Sequence, residues 1–300
     1  MRTVALCFLL TAALPAWAAT PINETRPLAA DGQVSIENLK GRIVVRTWDR
    51  QEVRIGGRLG EGVEKLAVEG SDQNLSITVR YPRSGGSWFG NWGGSKTEPT
   101  DLEVTVPAAA ALSIQSVSAS VDVDGTRGHR LAIESVSGSV HVSGAKSEDV
   151  RIETVSGSQR LDLASQAVNA SSVSGSIVLQ GDIGGRVRVE TVSGTAEVKT
   201  GVIERLDANT VSGSLELDTR LAANATVRAE SVSGGIRLSV PKGTGAEVQI
   251  ETFSGGIRSV VGEVITERYG PGKSLRARMG EGGGDIRLES FSGSVALDIH

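Results

Sequence analysis

The sequence contains very little of several residue types that ordinary domains use. Its 300 residues include one cysteine, and aromatic residues make up 3% of the chain. With so few rings, a core must be filled by Val, Ile, Leu and Ala, and a hydrophobic content of 39% is enough to form one. Long segments with the periodicity of a helix are also hard to find. The 38 glycines, against 8 prolines, indicate many turns, so the composition predicts an all-β protein.

The cysteine lies in a segment that we expect to be removed. Residues 1–18 have the layout of a Sec-type signal peptide: a basic start at Arg2, the apolar run VALCFLLTAALP, and an A-W-A cleavage site ending at Ala18. The apolar run is too short to span a bilayer, and Cys7 within it does not form a lipobox. We therefore expect a mature chain with no cysteine and no transmembrane segment, in the periplasm or secreted.

A short motif, V-S-G-S or a close variant, recurs through most of the chain. With its Val or Phe as position 0, it occurs at Val117, Val136, Val155, Val173, Val192, Val211, Val232, Phe253 and Phe291. The spacings are 19, 19, 18, 19, 19, 21, 21 and 38 residues. A period this regular is typical of a solenoid, in which each unit stacks on the next.

Apolar residues occupy the same positions in each unit. Positions −5 and −3 carry residues such as Leu131 and Ile133, and most units are also apolar at +4 and +6. This alternation has the period of a strand and gives each unit about two short strands. We predict a parallel β-solenoid, a single-stranded and right-handed β-helix with about 19 residues per coil. Nine or ten coils would form a rod on the order of 45 Å long.

The alternation of apolar and polar residues breaks near the motif. The side chains of the motif could therefore point in either of two ways. If position 0 points inward, the hydroxyls at −1 and +1 face solvent; if the hydroxyls point inward, the Val and Phe side chains form an external apolar stripe. Burying each Val or Phe is worth roughly 1.5–3 kcal/mol, and such a stripe would be unusual unless it were an interface. We expect Val inside, with the glycine at the corner.

The regions outside the regular repeat divide the chain further. Residues 1–18 form the signal peptide and 19–30 a flexible N-terminus, while 31–110 are predicted to form irregular first coils or a β cap. Residues 111–300 form the regular solenoid, with a modified coil at 260–284. Such end structures are expected because bare strand edges invite aggregation.

The segment VSIENLKGRIVVRTWDRQEVRI, residues 34–55, followed by many units like VRIETVSGS, resembles a bacterial β-strand-repeat family of unknown function whose members are called putative adhesins. The resemblance covers nearly the whole mature chain. It implies a β-solenoid in an exported envelope protein, and it supplies no catalytic residues.

The search for catalytic or metal-binding groups gives little. Asp122 and Asp124 in VDVDG are the nearest approach to paired carboxylates, but alternation before a turn explains them better. His129, His141 and His300 are scattered, without metal-ligand spacing. The motif serines do not form a nucleophile elbow. We expect no enzyme activity and no cofactor, and the net charge of −4 does not favour nucleic acid.

One segment departs from the composition. Residues 83–99, RSGGSWFGNWGGSKTEP, place Trp88, Phe89 and Trp92 among glycines. These rings could stack on a glycan, touch a membrane interface or hold a protein partner, or they could fold back as an apolar cap on the solenoid end.

The sequence thus favours an exported, non-enzymatic β-solenoid that acts as a structural or adhesin-like binding element of the cell envelope, with an envelope glycan or another envelope protein as partner. The alternative is a glycan-active β-helix enzyme, a polysaccharide lyase or hydrolase. A weaker third hypothesis is that an outward Ser/Thr ladder binds an ordered surface such as crystalline polysaccharide or ice.

Overall fold

The computed structural model describes residues 20–82 and 97–300. All regular structure in these residues is β-strand, and the strands join into one continuous sheet. No helix in the described part of the chain has the length and hydrophobicity needed to cross a membrane. The expected all-β, solenoid-like architecture is confirmed at this level.

The strands are β1 (Thr20–Pro27), β2 (Gln33–Trp48), β3 (Glu52–Leu59), β4 (Lys65–Gly70), β5 (Asn74–Arg80), β6 (Thr100–Pro107), β7 (Ala111–Asp124), β8 (Arg130–Ser135), β9 (Val140–Lys146), β10 (Asp149–Thr154), β11 (Gln159–Ser172), β12 (Ile177–Gly181), β13 (Ile183–Thr191), β14 (Ala196–Thr210), β15 (Leu215–Ser231), β16 (Ile236–Val240), β17 (Ala246–Thr252), β18 (Ile257–Ser259), β19 (Ile265–Thr266), β20 (Lys273–Met279), β21 (Gly284–Ser290) and β22 (Val295–Ile299).

Equivalent positions of neighbouring units pair in parallel. Leu112 aligns with Leu131 and Ile114 with Ile133, and the same register continues from β8 to β10 and onward. Positions −5 and −3 are fully or almost fully buried, as are the apolar residues at +4 and +6 except the partly buried Ile257. The core is therefore a set of internal columns of Val, Ile, Leu and Ala, which run along the solenoid axis.

The first regular coil is supplied by β2, well before the motif itself begins. Val34 pairs with Leu112, Ile36 with Ile114 and Ile43 with Val121. In this register Leu39 occupies position 0 and Gly41 aligns with Ala119 at +2. The segment IENLKGRI is thus a divergent copy of IESVSGSV that lacks the Ser-Gly signature.

The coils do not stack in chain order at the C-terminal end. Strand β21 pairs in parallel with β15 on one side and with β17 on the other, so Ser290 lies between Ser231 and Thr252. Strand β22 likewise lies between β16 and β18. The regular coil predicted for the C-terminus is present, but it is inserted between two coils that precede it in the sequence.

Antiparallel strands cover parts of both ends of the stack. At the C-terminal end β20 pairs with β17, and β19 pairs with β20. At the N-terminal end β5 and β6 pair with β2, while β4, β3 and β1 continue outward through antiparallel pairs. These strands pair edges that would otherwise present open backbone groups to other chains.

The glycine at position +2 is required by the distance between coils. A Cβ on Gly194 would lie 2.0 Å from the carbonyl oxygen of Gly175, and one on Gly213 would lie 1.8 Å from that of Gly194. Neither glycine has a positive φ angle. The glycine was expected because a corner needs its backbone freedom. The structure shows instead that glycine is needed because the backbones of successive coils lie too close for a Cβ.

Replacing Gly194 with alanine should destabilise the solenoid. The added methyl group must displace the Gly175 backbone, and we expect a loss of about 2–4 kcal/mol in the free energy of unfolding. The matched control is Gly256→Ala, because a Cβ there meets nothing within 4 Å and its φ is not positive. Denaturant titration of both variants checks this, and an equal shift in both would contradict the steric explanation.

The inserted C-terminal coil can be tested by disulfide crosslinking, since the predicted mature chain has no cysteine. Cysteines at Glu230 and Glu289 occupy paired positions and should form a disulfide under mild oxidation. Cysteines at Glu230 and Glu251 lie two coils apart, beyond the reach of a disulfide, and should stay reduced. Stacking in chain order would give the reverse result on non-reducing gels.

Candidate functional site

The Val or Phe at position 0 is exposed in every unit. Fractional exposure ranges from 42% at Val192 to 57% at Phe291, whereas the Ser or Thr at −1 is buried throughout. The prediction that Val points into the core is therefore wrong, and the alternative with inward hydroxyls is correct. The break in alternation falls between positions 0 and +1, both of which face solvent.

The buried hydroxyl is held by the backbone of the corner. The Gly194 N–H donates to Thr191 Oγ1 at 3.0 Å, and the Gly234 N–H donates to Ser231 Oγ at 2.8 Å. A Val side chain at −1 could not accept this bond, and a buried N–H without a partner costs about 1–3 kcal/mol. Strand alternation from the inward positions −5 and −3 also directs −1 inward.

Hydroxyls of neighbouring coils also bond to one another. Ser116 Oγ donates to Ser135 Oγ at 2.9 Å, and Thr154 Oγ1 donates to Ser172 Oγ at 3.1 Å. This buried ladder excludes the third hypothesis as it was framed, because the −1 hydroxyls do not face an external surface.

The exposed residues at position 0 form a continuous row, which we call the apolar stripe. In spatial order it consists of Leu39, Val117, Val136, Val155, Val173, Val192, Val211, Val232, Phe291 and Phe253.

Backbone hydrogen bonds hold neighbouring members of the apolar stripe one coil apart. The Ser137 N–H donates to the Val117 carbonyl at 2.7 Å, and the Ser212 N–H donates to the Val192 carbonyl at 2.8 Å. At the C-terminal end the rings of Phe253 and Phe291 stack, with centroids 4.8 Å apart and planes 9° from parallel. The stripe is therefore rigid in spacing and ends in a stacked aromatic pair.

An acidic row runs beside the apolar stripe. It consists of the glutamates at position −2: Glu37, Glu134, Glu153, Glu190, Glu230, Glu289 and Glu251.

The two rows form the walls of a groove whose floor carries the −1 residues. One stretch of the groove extends from Glu37 to Val173 with a volume of about 550 Å³. A second stretch shares Thr154, Ser171 and Val173 with the first and continues to Phe253, with a volume of about 870 Å³. Small-molecule sites typically have volumes of about 300–1,000 Å³, but this groove is long and shallow.

Arginines at −4 neutralise some of the acidic row. Arg151 lies 2.6 Å from Glu153, Arg188 lies 2.6 Å from Glu190, and Arg287 pairs with Glu289. The hydrogen bond from Arg188 to Glu190, with the charge of that carboxylate, raises the pKa of Arg188. The sequence places Arg two residues before Glu in these units, and the resulting pairs relieve repulsion along the row.

The N-terminal end of the groove is built by a different set of polar contacts. Asn38 takes the −1 position there, donating from Nδ2 to the Thr100 carbonyl at 3.0 Å and accepting at Oδ1 from Tyr81 Oη at 2.8 Å. Burial raises the pKa of the Tyr81 hydroxyl above its ordinary value. Asn38 therefore links the first coil to β6 and to the chain that follows β5.

The other sequence candidates do not come together into a site. Asp122 lies 3.7 Å from Arg42, and Asp124 accepts a bond from Ser143. His129, His141 and His300 are exposed at separate places. Within residues 20–82 and 97–300 no three His, Cys, Asp or Glu side chains are grouped as metal ligands.

Trp88, Phe89 and Trp92 lie outside the described residues, so the contact predicted for these rings stays a prediction.

Sequence reasoning missed the orientation of the apolar stripe and its first member, Leu39. The signal for the orientation was available, since the simplest strand alternation from −5 places 0 outward. The signal for Leu39 was the spacing of apolar residues in VSIENLKGRIVV, which matches a regular unit without sharing its motif.

Comparisons with known proteins point to one family. The family model Toastrack DUF4097 matches residues 32–298. Among curated proteins, none matches the chain.

Several solved structures are similar to this chain at low sequence identity. A putative adhesin from Bacteroides fragilis is 10% identical with a TM-score of 0.44, covering 94% of this chain and 98% of that chain. A putative lipid binding protein from Parabacteroides distasonis is 14% identical with a TM-score of 0.43, covering 93% and 94%. A putative cell adhesion protein from Clostridium sporogenes is 9% identical with a TM-score of 0.27, covering 94% and 100%. Similarity at this level says nothing about what this chain binds.

The orientation of the motif predicts a large loss of stability for one substitution and almost none for the substitution next to it. Thr191→Val leaves the buried Gly194 N–H without its acceptor and should lower the free energy of unfolding by about 1–3 kcal/mol. Val192→Thr changes an exposed side chain and should stay within about 0.5 kcal/mol. Ser193→Ala serves as an exposed control. A larger loss for Val192→Thr than for Thr191→Val, measured by denaturant unfolding, would contradict the assignment.

Proposed function

Since the chain belongs to the Toastrack DUF4097 family, as the resemblance of its repeats predicted, we propose that it is an exported, non-enzymatic β-solenoid that acts as a structural or adhesin-like binding element of the cell envelope. In this proposal each right-handed coil contains about 19 residues, and the apolar stripe is the binding surface.

The apolar stripe is the observation that carries the proposal. Each half-exposed Val loses about 1 kcal/mol of the hydrophobic stabilisation that full burial would give. A similar loss occurs in every unit along the solenoid. Contiguous exposed apolar patches beyond a few hundred Å² are typical of interfaces. Because each position is set by the stacking of coils, the surface needs no rearrangement before it binds, which lowers the entropic cost of association.

The proposed location depends on the sequence of residues 1–18, which has the features of a Sec-type signal peptide. A mature chain released in the periplasm or outside the cell would meet envelope proteins and glycans, and these are the proposed partners. Its net negative charge does not favour nucleic acid. Trp88, Phe89 and Trp92 are proposed as a further contact in addition to the apolar stripe.

Cosedimentation of the purified mature chain with envelope fractions of its own host tests the proposal. Replacing Val136, Val155 and Val192 with Asn should weaken binding at least 10-fold, since central apolar contacts each contribute more than about 1 kcal/mol at an interface. Substitution of Val202, Val260 and Val264 by Asn removes exposed Val residues away from the groove and should leave binding unchanged.

A third variant, with Trp88, Phe89 and Trp92 replaced by Ala, separates the aromatic contact from a role in stability. Weaker binding at an unchanged melting temperature would support the contact; a lower melting temperature with unchanged binding would assign the rings to a cap. Equal binding by the stripe variant and its Val202 control would overturn the proposed role of the apolar stripe.

A further inference from the structure

The geometry points to a partner class for the groove: a basic, amphipathic polypeptide segment that lies along the solenoid axis, with its apolar side on the stripe and its Lys or Arg residues against the acidic row. This inference rests on the proposed function, because it takes the apolar stripe to be a binding surface. It adds what the proposed function leaves open, the charge and shape of the ligand.

The charge of the groove is one-sided. Carboxylates occupy seven of the ten coil positions on one wall, which Gln115, Ser171 and Asn209 interrupt, and Lys273 is the one cation among the described lining residues. Lys273 lies at the C-terminal end, where its Nζ donates to the Gly255 carbonyl at 3.1 Å. Glu37 and Glu134 at the N-terminal end therefore have no facing cation in the described part of the groove, whereas Arg151 and Arg188 neutralise Glu153 and Glu190 in the middle of the groove.

Several members of the acidic row lack an ion pair in the part of the chain that the structure describes, although Glu230 lies within the field of Arg287. Arg151, Arg188 and Arg287 pair with the glutamates two residues after them. Glu37, Glu134 and Glu230 make no ion pair within the described residues. Glutamates on adjacent coils, such as Glu134 with Glu153 and Glu230 with Glu289, lie about 4.8 Å apart and repel one another, so a cationic ligand would relieve repulsion as it binds.

The shape of the groove fits a linear ligand. Nine coil steps between Leu39 and Phe253 span about 43 Å, the length of a helix of about 28 residues. At the C-terminal end Glu267 and Lys273, which flank the turn before β20, close the groove. A helix with an apolar face and an adjoining basic edge would contact both walls at once.

The same charges disfavour two other occupants. An anionic lipid surface attracts basic segments of proteins. The acidic row carries the same negative charge as such a surface and would be repelled by it. A second copy bound antiparallel through the same face would place one acidic row against the other, with like charges opposed. A basic polypeptide meets neither penalty.

A pair of synthetic peptides tests the inference with the intact mature protein. The first is a 28-residue helix with Leu on one face and Lys along one edge, and the second has Glu in place of every Lys. Binding is measured by fluorescence anisotropy at low and at high salt. We expect the Lys peptide to bind, with an affinity that falls at least fivefold at high salt, and the Glu peptide not to bind.

Two variants with equal charge changes locate the site. Replacing Glu37, Glu134 and Glu230 with Gln should weaken binding of the Lys peptide at least 10-fold. Replacing Glu148, Glu197 and Glu216 with Gln changes the net charge equally at exposed sites outside the groove and should alter affinity less than twofold. Unfolding midpoints of both variants should match that of the parent chain, since these side chains are exposed or make no ion pair.

The outcomes separate this inference from the proposed function. Equal weakening by both Gln variants, or equal binding of both peptides, overturns the assignment of a basic ligand. Stripe-dependent binding to phosphatidylglycerol vesicles overturns it in favour of a lipid surface. If the Val136, Val155 and Val192 variant loses envelope binding while the Lys peptide fails to bind the parent chain, the ligand class is wrong and the proposed function stands.

Discussion

The contact between successive coils at position +2 is the constraint on which the rest of the structure depends. There the carbonyl oxygen of one coil lies where the Cβ of the next would be, within about 2 Å in most units. Where the approach is this close only glycine fits, and the adjacent −1 hydroxyl receives the glycine N–H; the first motif unit, with Ala119 at +2, is the exception. Close packing and the buried hydroxyl together fix the corner, and the corner sets the register of both strands that leave it.

The outward row of Val and Phe follows from this corner. Because −1 must point inward to reach the glycine N–H, position 0 points outward, whatever residue occupies it. A soluble solenoid could place Ser or Lys there, yet the chain repeats Val and ends with two stacked Phe rings. Neither packing nor the corner requires an apolar residue at 0, and this is why the stripe, with the acidic row beside it, is the surface proposed for binding.

Much of the architecture could be predicted from the sequence because the same pattern of apolar and polar positions recurs in many units, so an irregularity in one unit does not obscure it. The apolar columns at −5 and −3, the strand alternation and the Arg–Glu pairs such as Arg151 and Glu153 were all readable. The orientation of Val192 and Thr191 was predicted wrongly because only the burial of Val, about 1.5–3 kcal/mol, was considered, and not the cost of a buried glycine N–H without an acceptor. The two free energies are of similar size, so strand alternation decides which side chain points inward.

Local spacing along the chain was enough to specify the repeat, the strands and the residues available to each column, because any β-solenoid must respect it. Two features follow only from the folded structure. It placed the coil of Ser290 between those of Ser231 and Thr252, since equivalent units have nearly identical edges and sequence order does not distinguish them. It also joined Leu39, the Val row and the two Phe rings into one groove, because a surface made of residues far apart in the chain exists only after the coils have stacked.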